Sequence, residues 1–315
     1  MDTPVAARTG TRTKGVRRTG CSSAATVSVG DSAEAVGGPD PAVPTSHVLR
    51  GSGERRPSLM VDTLQVRYDD GVTVVTLARP AKRNALDDAT VLGLEELFRD
   101  LPAGTRAVVL DAQGDHFCAG LDLTELAERD TMAGVHHSRM WHRALEALES
   151  GPVPVVAVLK GAVVGGGLEL AAAAHLRVAE ASTFYALPEG QRGLFVGGGA
   201  SVRVPRLIGV SRMTDLMLTG RRYDATEGQA AGLSHYLVEA GDGFDKAVEL
   251  ARRAADVAPQ TTFAVLHALP RIAEANPRDG YLMESLMAAI AQGTDDAKQR
   301  MADFVAGRGR KATDE

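Results

Sequence analysis

Cysteine is scarce. The 315-residue chain holds two, Cys21 and Cys118, which excludes a disulfide framework and a cysteine-built zinc cluster and fits a reducing, cytoplasmic setting. Long apolar runs are missing as well. The most continuous, VPVVAVL at 153–159, is far too short to cross a bilayer. There is no excess of positive charge: the net charge is −5, which argues against nucleic acid as a main partner. Nor is any metal-ligand spacing apparent. What remains is a soluble globular composition, 44% hydrophobic and 24% charged, with ample length for a large core.

The charge is unevenly placed. Residues 1–60 carry a net +3, so the rest carries −8. That first segment is rich in Gly, Ser, Thr and Pro, contains no Phe, Trp or Tyr, and shows no apolar periodicity, so residues 1–59 are expected to be a disordered extension. Its arginines mimic a transit peptide, but an amphipathic apolar face is absent. Met60 directly precedes the first regular pattern and is an alternative start.

From Leu64 onward the signals become regular. LQVRY and VTVVTL (72–77), separated by DDG, predict a hairpin. ALDDATVLGLEELFRDL (85–101) predicts a helix capped at Asp87 or Asp88. RAVVLDA (106–112) reads as a buried strand, residues 131–149 as a helix, and VPVVAVL as a strand. KGAVVGGGLELAAAAH (160–175) reads as a turn and a helix, LRVAEA (176–181) and TFYAL (183–187) as short strands. After Ser201 the chain reads as mainly helical apart from SHYLV (234–238). This order implies an α/β core with a helical C-terminal portion.

The glycine triplet Gly165, Gly166 and Gly167 between a strand and a helix invites a phosphate-binding reading, which fails on spacing. Neither G-x-G-x-x-G nor G-x-x-x-x-G-K-[ST] can be written through it. A second use survives. Glycines let a backbone approach a ligand closely, and a helix start presents unpaired N–H groups, together a donor site for negative charge developing on oxygen. Glu169 follows in the first helical turn, among Leu168, Leu170 and Ala171–Ala173. A carboxylate with no polar face around it is a candidate acid or base, because desolvation moves its pKa towards working pH. Two other segments add to this. GDHFCAGLDL (114–123) ends a strand in a turn at Ala119-Gly120, with Asp122 placed to cap the next helix. ALPEGQRGLFVGGGASVRVPRLIG (186–209) puts Glu189 in a turn, then opens another glycine-rich turn before a helix.

With these segments the sequence resembles the crotonase family, the enoyl-CoA hydratases and isomerases, over about residues 64–308. RPAKRNALDD (79–88) resembles the family's first CoA-binding stretch and FCAGLDL its F-x-A-G-x-D-L element. GAVVGGGLELA matches G-x-x-x-G-G-G-x-E-L-A, PEGQRGLFVGGGASVRVPRLIG resembles P-E-x-x-x-G-L-x-P-G-x-G, and DDAKQRMADFVAGR (295–308) resembles the final helix. The resemblance implies an α/β fold, a crotonase-like spiral of ββα units with a helical C-terminal portion. It sets a core domain at 60–256 and a C-terminal helical region at 257–315. It implies an oxyanion hole made by the N–H groups of Ala119 and Gly166, and a substrate loop of Ala119, Gly120, Leu121 and Asp122. CoA contacts are implied at Arg79, Ala81, Arg83, Ala85 and Leu86, with Glu169 and Glu189 as catalytic residues.

The activity so implied is enoyl-CoA hydration, water adding to a 2-enoyl-CoA to give a 3-hydroxyacyl-CoA. Glu189 is the main proton-transfer residue and Glu169 the one that positions and activates water. Delta-isomerisation or another crotonase-type acyl-CoA reaction is the alternative within the family, and a non-catalytic CoA-binding protein the alternative outside it. No cofactor is implied beyond the CoA of the substrate, and no metal, nucleic acid or membrane. The partner implied is a second and third copy, as a homotrimer or homohexamer. Several positions depart from the pattern: Val196 in place of proline, Lys160 where a small polar residue is usual, and His267 and Arg271 near a missing lysine. Trp141 is equally a wall of the acyl pocket or a core residue. Cys118, His116, His136 and His137 are read as packing or surface groups.

Overall fold

The structure is a computed structural model that describes residues 62–125 and 130–308; the expected disordered extension lies outside them. All described residues belong to one unit.

Strands β1 (Leu64–Asp69) and β2 (Val72–Leu77) form the expected antiparallel hairpin. The two loop residues, Asp70 and Gly71, both have positive φ (42° and 83°), the turn whose twist matches the flanking strands. Helix α1 (Asp88–Arg99) starts at Asp87, whose side chain accepts from the Thr90 N–H. Strand β3 (Ala107–Ala112), helix α2 (Thr131–Glu149) and strand β4 (Val155–Leu159) come after it.

β4 is succeeded by a short strand the sequence pattern hides, β5 (Ala162–Val164), and then by helix α3 (Gly166–Ala173). Strands β6 (Leu176–Glu180) and β7 (Phe184–Ala186) repeat this step: β6 lies parallel to β4 in one sheet while β7 lies parallel to β5 in another. Cys118, which follows β3, makes a parallel bridge to Val163 in the same way. The turns β4–β5 and β6–β7 thus each give one strand to each sheet, and Cys118 adds a single bridge before them, which is how the spiral arises. Helices α4 (Ala200–Ile208) and α5 (Val210–Thr219) come next. They are followed by β8 (Tyr223–Asp224), α6 (Ala225–Ala231), β9 (Tyr236–Val238) and α7 (Gly243–Ala255). The first sheet has six strands in the order β1-β2-β3-β4-β6-β9, and the second has three, β5-β7-β8. β8 interrupts a region that reads as helical; at two residues it is too short to leave a periodic signal.

The period of two in the strands sorts the core. Val75, Leu77, Val108, Leu110, Ala157 and Leu159 face α1, α2 and α3 on one side of the six-stranded sheet. Val74, Val109, Val156 and Val158 face Ala247, Leu250 and Ala251 of α7 on the other. Each large side chain so buried is worth about 1.5–3 kcal/mol. Both faces are covered, as a mostly parallel sheet requires.

The C-terminal elements α8 (Pro259–Phe263), a π-turn at Ala264–Ala268, α9 (Leu269–Glu274), α10 (Pro277–Gln292) and α11 (Asp295–Val305) have another character. Gly280 is the single buried residue among them. Leu282, Leu286, Ile290 and Phe304 are all more than half exposed.

Candidate active site

One cavity of about 940 Å³ lies where the start of α3, the loop after β3, helix α2 and the segment 188–198 converge. Ala85, Ala119, Gly120, Leu121, Asp122, Gly166, Glu169 and Glu189 all line it. Residues drawn from four separate stretches of sequence therefore meet in one place.

The floor is the start of α3. Gly165 precedes the helix at φ 54°, and a Cβ there would sit 2.6 Å from Glu189 Oε1, so this position favours glycine on both conformation and space. Gly167 packs on Cys118, where a Cβ would lie 2.3 Å from the Cys118 carbonyl oxygen. The Gly165 N–H is spent on the Ala186 carbonyl at 2.9 Å. The Gly166 N–H, first in the helix, has no acceptor among the described residues.

The expected second donor requires correction. The Ala119 N–H donates to the Arg83 carbonyl at 3.0 Å, so it is not free for a ligand. The neighbouring bonds explain why. The stretch 83–86 runs beside 119–122, with Leu86 N–H donating to the Gly120 carbonyl and Asp122 N–H to the Leu86 carbonyl, both at 2.8 Å. This leaves the Leu121 N–H without an acceptor among the described residues. A Cβ built on Gly166 would lie 3.4 Å from that nitrogen. The two free N–H groups that come together are those of Leu121 and Gly166. Gly120, at φ 100°, makes the turn between them and has no room for a side chain, its Cβ position being 2.8 Å from the Val164 carbonyl oxygen.

Glu169 is 4% exposed. Its Oε1 accepts from the Gly198 N–H at 2.8 Å and the Ala200 N–H at 3.1 Å. Burial pushes its pKa above the ordinary carboxylate value, opposed by those N–H groups and by the Arg203 charge. Glu189 stands in the 3-10 turn Pro188–Arg192, and its Oε2 is buried with no hydrogen-bond partner among the described residues. Burial raises its pKa too, and the nearby Glu169 charge adds to the rise, against its own backbone N–H and Arg192. The two carboxyl groups thus differ in support: one is held by amides, the other carries an oxygen left open.

The glycines at 197–199 were legible as a turn, but their service to Glu169 was not. A Cβ on Gly198 would lie 2.5 Å from Glu169 Oε2 and 2.9 Å from the Trp141 ring. Trp141 itself is buried, lines the cavity and also abuts Gly166, so it is both core and wall. A run of small residues ahead of an arginine-bearing helix was the available signal.

Of the expected CoA contacts, Ala85 lines the cavity. Arg79 is committed to the protein, pairing with Asp87 at 3.0 Å and Asp122 at 2.9 Å and donating to the Ala85 carbonyl. Leu86 is core, while Ala81 and Arg83 are exposed beside it. Asp122 caps only a short 3-10 turn, accepting from Thr124; that bond, with Arg79 and Lys82, holds its pKa at about 2. Cys118 is a buried free thiol with its pKa pushed up to about 12 by desolvation, which suits packing and not nucleophilic chemistry. His116 accepts from the Ala162 N–H, and His137 bonds Asp88 at 2.7 Å. Lys160 pairs with Asp111. Among the described residues no three His, Cys, Asp or Glu side chains gather as metal ligands, and no helix is long and apolar enough to cross a membrane.

Comparison with known proteins extends these observations. A family model described as enoyl-CoA hydratase/isomerase matches residues 67–312. The human enoyl-CoA hydratase domain-containing protein 2, mitochondrial, is 34% identical over 75% of this chain and 83% of its own length. A solved structure from Rhodopseudomonas palustris, provisionally designated an enoyl-CoA hydratase, is 57% identical with a TM-score of 0.77, over 78% of this chain and 96% of that one. An enoyl-CoA hydratase from Bacillus anthracis is 30% identical with a TM-score of 0.74, over 80% and 100%.

Proposed function

The chain belongs to the enoyl-CoA hydratase/isomerase family, with the crotonase fold, and from that premise we propose that it hydrates a 2-enoyl-CoA thioester to a 3-hydroxyacyl-CoA. The observation that carries this reading is the pair of unequal buried carboxyl groups, Glu169 and Glu189, beside two free N–H groups.

The thioester oxygen lies between Leu121 N–H and Gly166 N–H, with Gly166 also placing the positive end of α3 there. As water adds to the β-carbon, electron density moves through the α-carbon onto that oxygen, and the two donors stabilise the enolate-like charge. Glu169 is the group whose anion is supported, by two amides and a nearby guanidinium, so it holds the water and takes its proton. Glu189 is the group whose proton is favoured, by burial and by Glu169's charge, so it delivers a proton to the α-carbon. Environments that push two carboxyl groups apart assign acid and base. The cycle closes when the proton gained by Glu169 returns to Glu189, so water is the net addition and no redox carrier is needed. A single carboxyl would serve isomerisation; the second, amide-held one favours hydration.

Ala85 and the exposed Arg83 border the CoA end, and α2 with Trp141 walls the acyl end. The exposed apolar side chains of α10 and α11 support assembly as a homotrimer or homohexamer, a second copy covering them. A reducing compartment such as the cytoplasm suits a chain whose described cysteine is a free thiol. The purified protein should consume short- or medium-chain 2-enoyl-CoA with loss of the conjugated-thioester absorbance. A preference for 3-enoyl-CoA, converted to the conjugated ester, would replace hydration by isomerisation.

A further inference from the structure

We infer that Arg203 is a positioning residue, which with Glu149 behind it clamps the 197–199 turn so that the turn's amides hold Glu169 as a water-activating anion. The inference rests on the role given to Glu169 above. It starts from a chain of contacts. Arg203 leaves the first turn of α4 and is nearly buried, its side chain 10% exposed. Its Nη1 donates to the Gly198 carbonyl at 3.1 Å, while Nε and Nη2 lie 2.8 Å and 2.7 Å from Glu149 Oε2 at the end of α2. The peptide whose carbonyl Arg203 holds belongs to Gly198, and the N–H of that same residue is the 2.8 Å donor to Glu169.

The turn is held from α2 a second time. Ser138 Oγ donates to the Gly197 carbonyl at 2.6 Å. Gly199, at φ 109°, has its Cβ position 2.2 Å from Arg203 Nη1, so a side chain at 199 would be strained in its backbone and would displace the guanidinium from its present place. The turn is therefore shaped around Arg203 as much as around Glu169. Lysine could not reproduce this, because one ammonium cannot hold a carbonyl and a carboxylate in the fixed fork of a guanidinium.

A positive charge in this place also opposes burial. Glu169 faces Trp141 from α2, Glu189 from the 3-10 turn, the Gly198 and Ala200 amides, and Arg203 from α4. Trp141 offers no charge and Glu189 offers charge of the wrong sign. Arg203 is the one cation acting on Glu169 among these groups, and it lowers a pKa that burial raises. His142, also on α2, feels the same guanidinium and is held towards its neutral form chiefly by desolvation and then by Arg203, so it does not substitute for it.

The test is carboxyl-carbon NMR on protein labelled with glutamate at the δ-carbon, the Glu169 signal being assigned by its loss in Glu169→Gln. In Arg203→Gln, which keeps a donor for the Gly198 carbonyl but no charge, the Glu169 midpoint should rise by about 1 pH unit. The acid limb of the kcat profile should rise with it, with KM little changed. A folded Arg203→Gln whose Glu169 titrates as in the wild type would overturn the inference and leave Arg203 a stabiliser of the fold. If that variant does not fold, Arg203→Lys serves. A kcat lowered about tenfold at unchanged KM supports the clamp, and wild-type kcat with a wild-type Glu169 signal overturns it. The titration needs no substrate, so it is independent of the hydration reading: failure of the wild type to hydrate 2-enoyl-CoA would end that reading without moving the Glu169 signal.

Discussion

Two glycine turns open two helices in this molecule, and they spend their amides in opposite ways. At 165–167, where α3 begins, the Gly166 N–H is left without an acceptor among the described residues, and Gly166 lines the cavity. At 197–199, ahead of α4, the Gly198 N–H and that of the following Ala200 are both taken by one side chain, Glu169. On the proposed reading, the first turn keeps its donor for the thioester oxygen, and the second uses its donors to hold the carboxylate that activates water. A glycine cluster before a helix is thus a donor site in both places, and the position of the nearest carboxylate decides which kind.

The largest effect is expected from removing the carboxyl whose oxygens neither turn's amides hold. Glu189→Gln should lower kcat by about 10²–10⁴. The same change should not lower the melting temperature. A carboxyl whose pKa is raised on folding contributes fully below its ordinary value, and that contribution fades as pH rises through the folded pKa. At neutral pH a neutral amide there is therefore at least as stable. Thermal denaturation beside steady-state kinetics checks both, and a large fall in stability would contradict the account.

Next in size is the second turn. Gly198→Ala drives a methyl into Glu169 and Trp141, and the displaced carboxylate should cost about 10²-fold in kcat. Gly166→Ala meets the Trp141 ring at 3.0 Å but keeps its N–H, so it should cost less. The reverse order would mean that the two turns have been assigned the wrong roles.

A third prediction concerns pH. Activity should fall as pH drops through the pKa of Glu169, which must be ionised, and again as pH rises through that of Glu189, which must be protonated. Both limbs lie above the ordinary carboxylate range because burial raises both groups. In Glu189→Gln the residual rate should lose the alkaline limb only. The smallest effect is expected far from both turns: deleting residues 1–59 should leave kcat and KM unchanged, and a large loss would make the extension part of the enzyme.

Much of this was legible in the sequence. The hairpin at Asp70-Gly71, the cap at Asp87, the alternation in 107–112 and the run 155–159 carried the frame, because period, turn chemistry and capping are local properties. Glu169 stood out because nothing polar surrounds it. Strands β5 and β8 escaped: β5 lies in an apolar, glycine-rich run that reads as a turn, β8 is two residues long, and the pairing of both is decided by distant partners. The Ala119 donor was misassigned for a related reason. Motif position brings 119–122 to the cavity, but which of its N–H groups stays free depends on Arg83 and Leu86, more than thirty residues earlier. The clamp of Glu149, Arg203 and Gly198 likewise joins α2 to α4, and no spacing in the sequence announces it.

The most direct test follows 2-enoyl-CoA turnover by the loss of the conjugated thioester, with identification of the product, in the wild type, Glu169→Gln and Glu189→Gln. The wild type should yield 3-hydroxyacyl-CoA, and each variant should lose about 10²-fold or more in rate. A wild type that leaves 2-enoyl-CoA untouched, or two variants that hydrate it at the wild-type rate, would contradict the proposed mechanism.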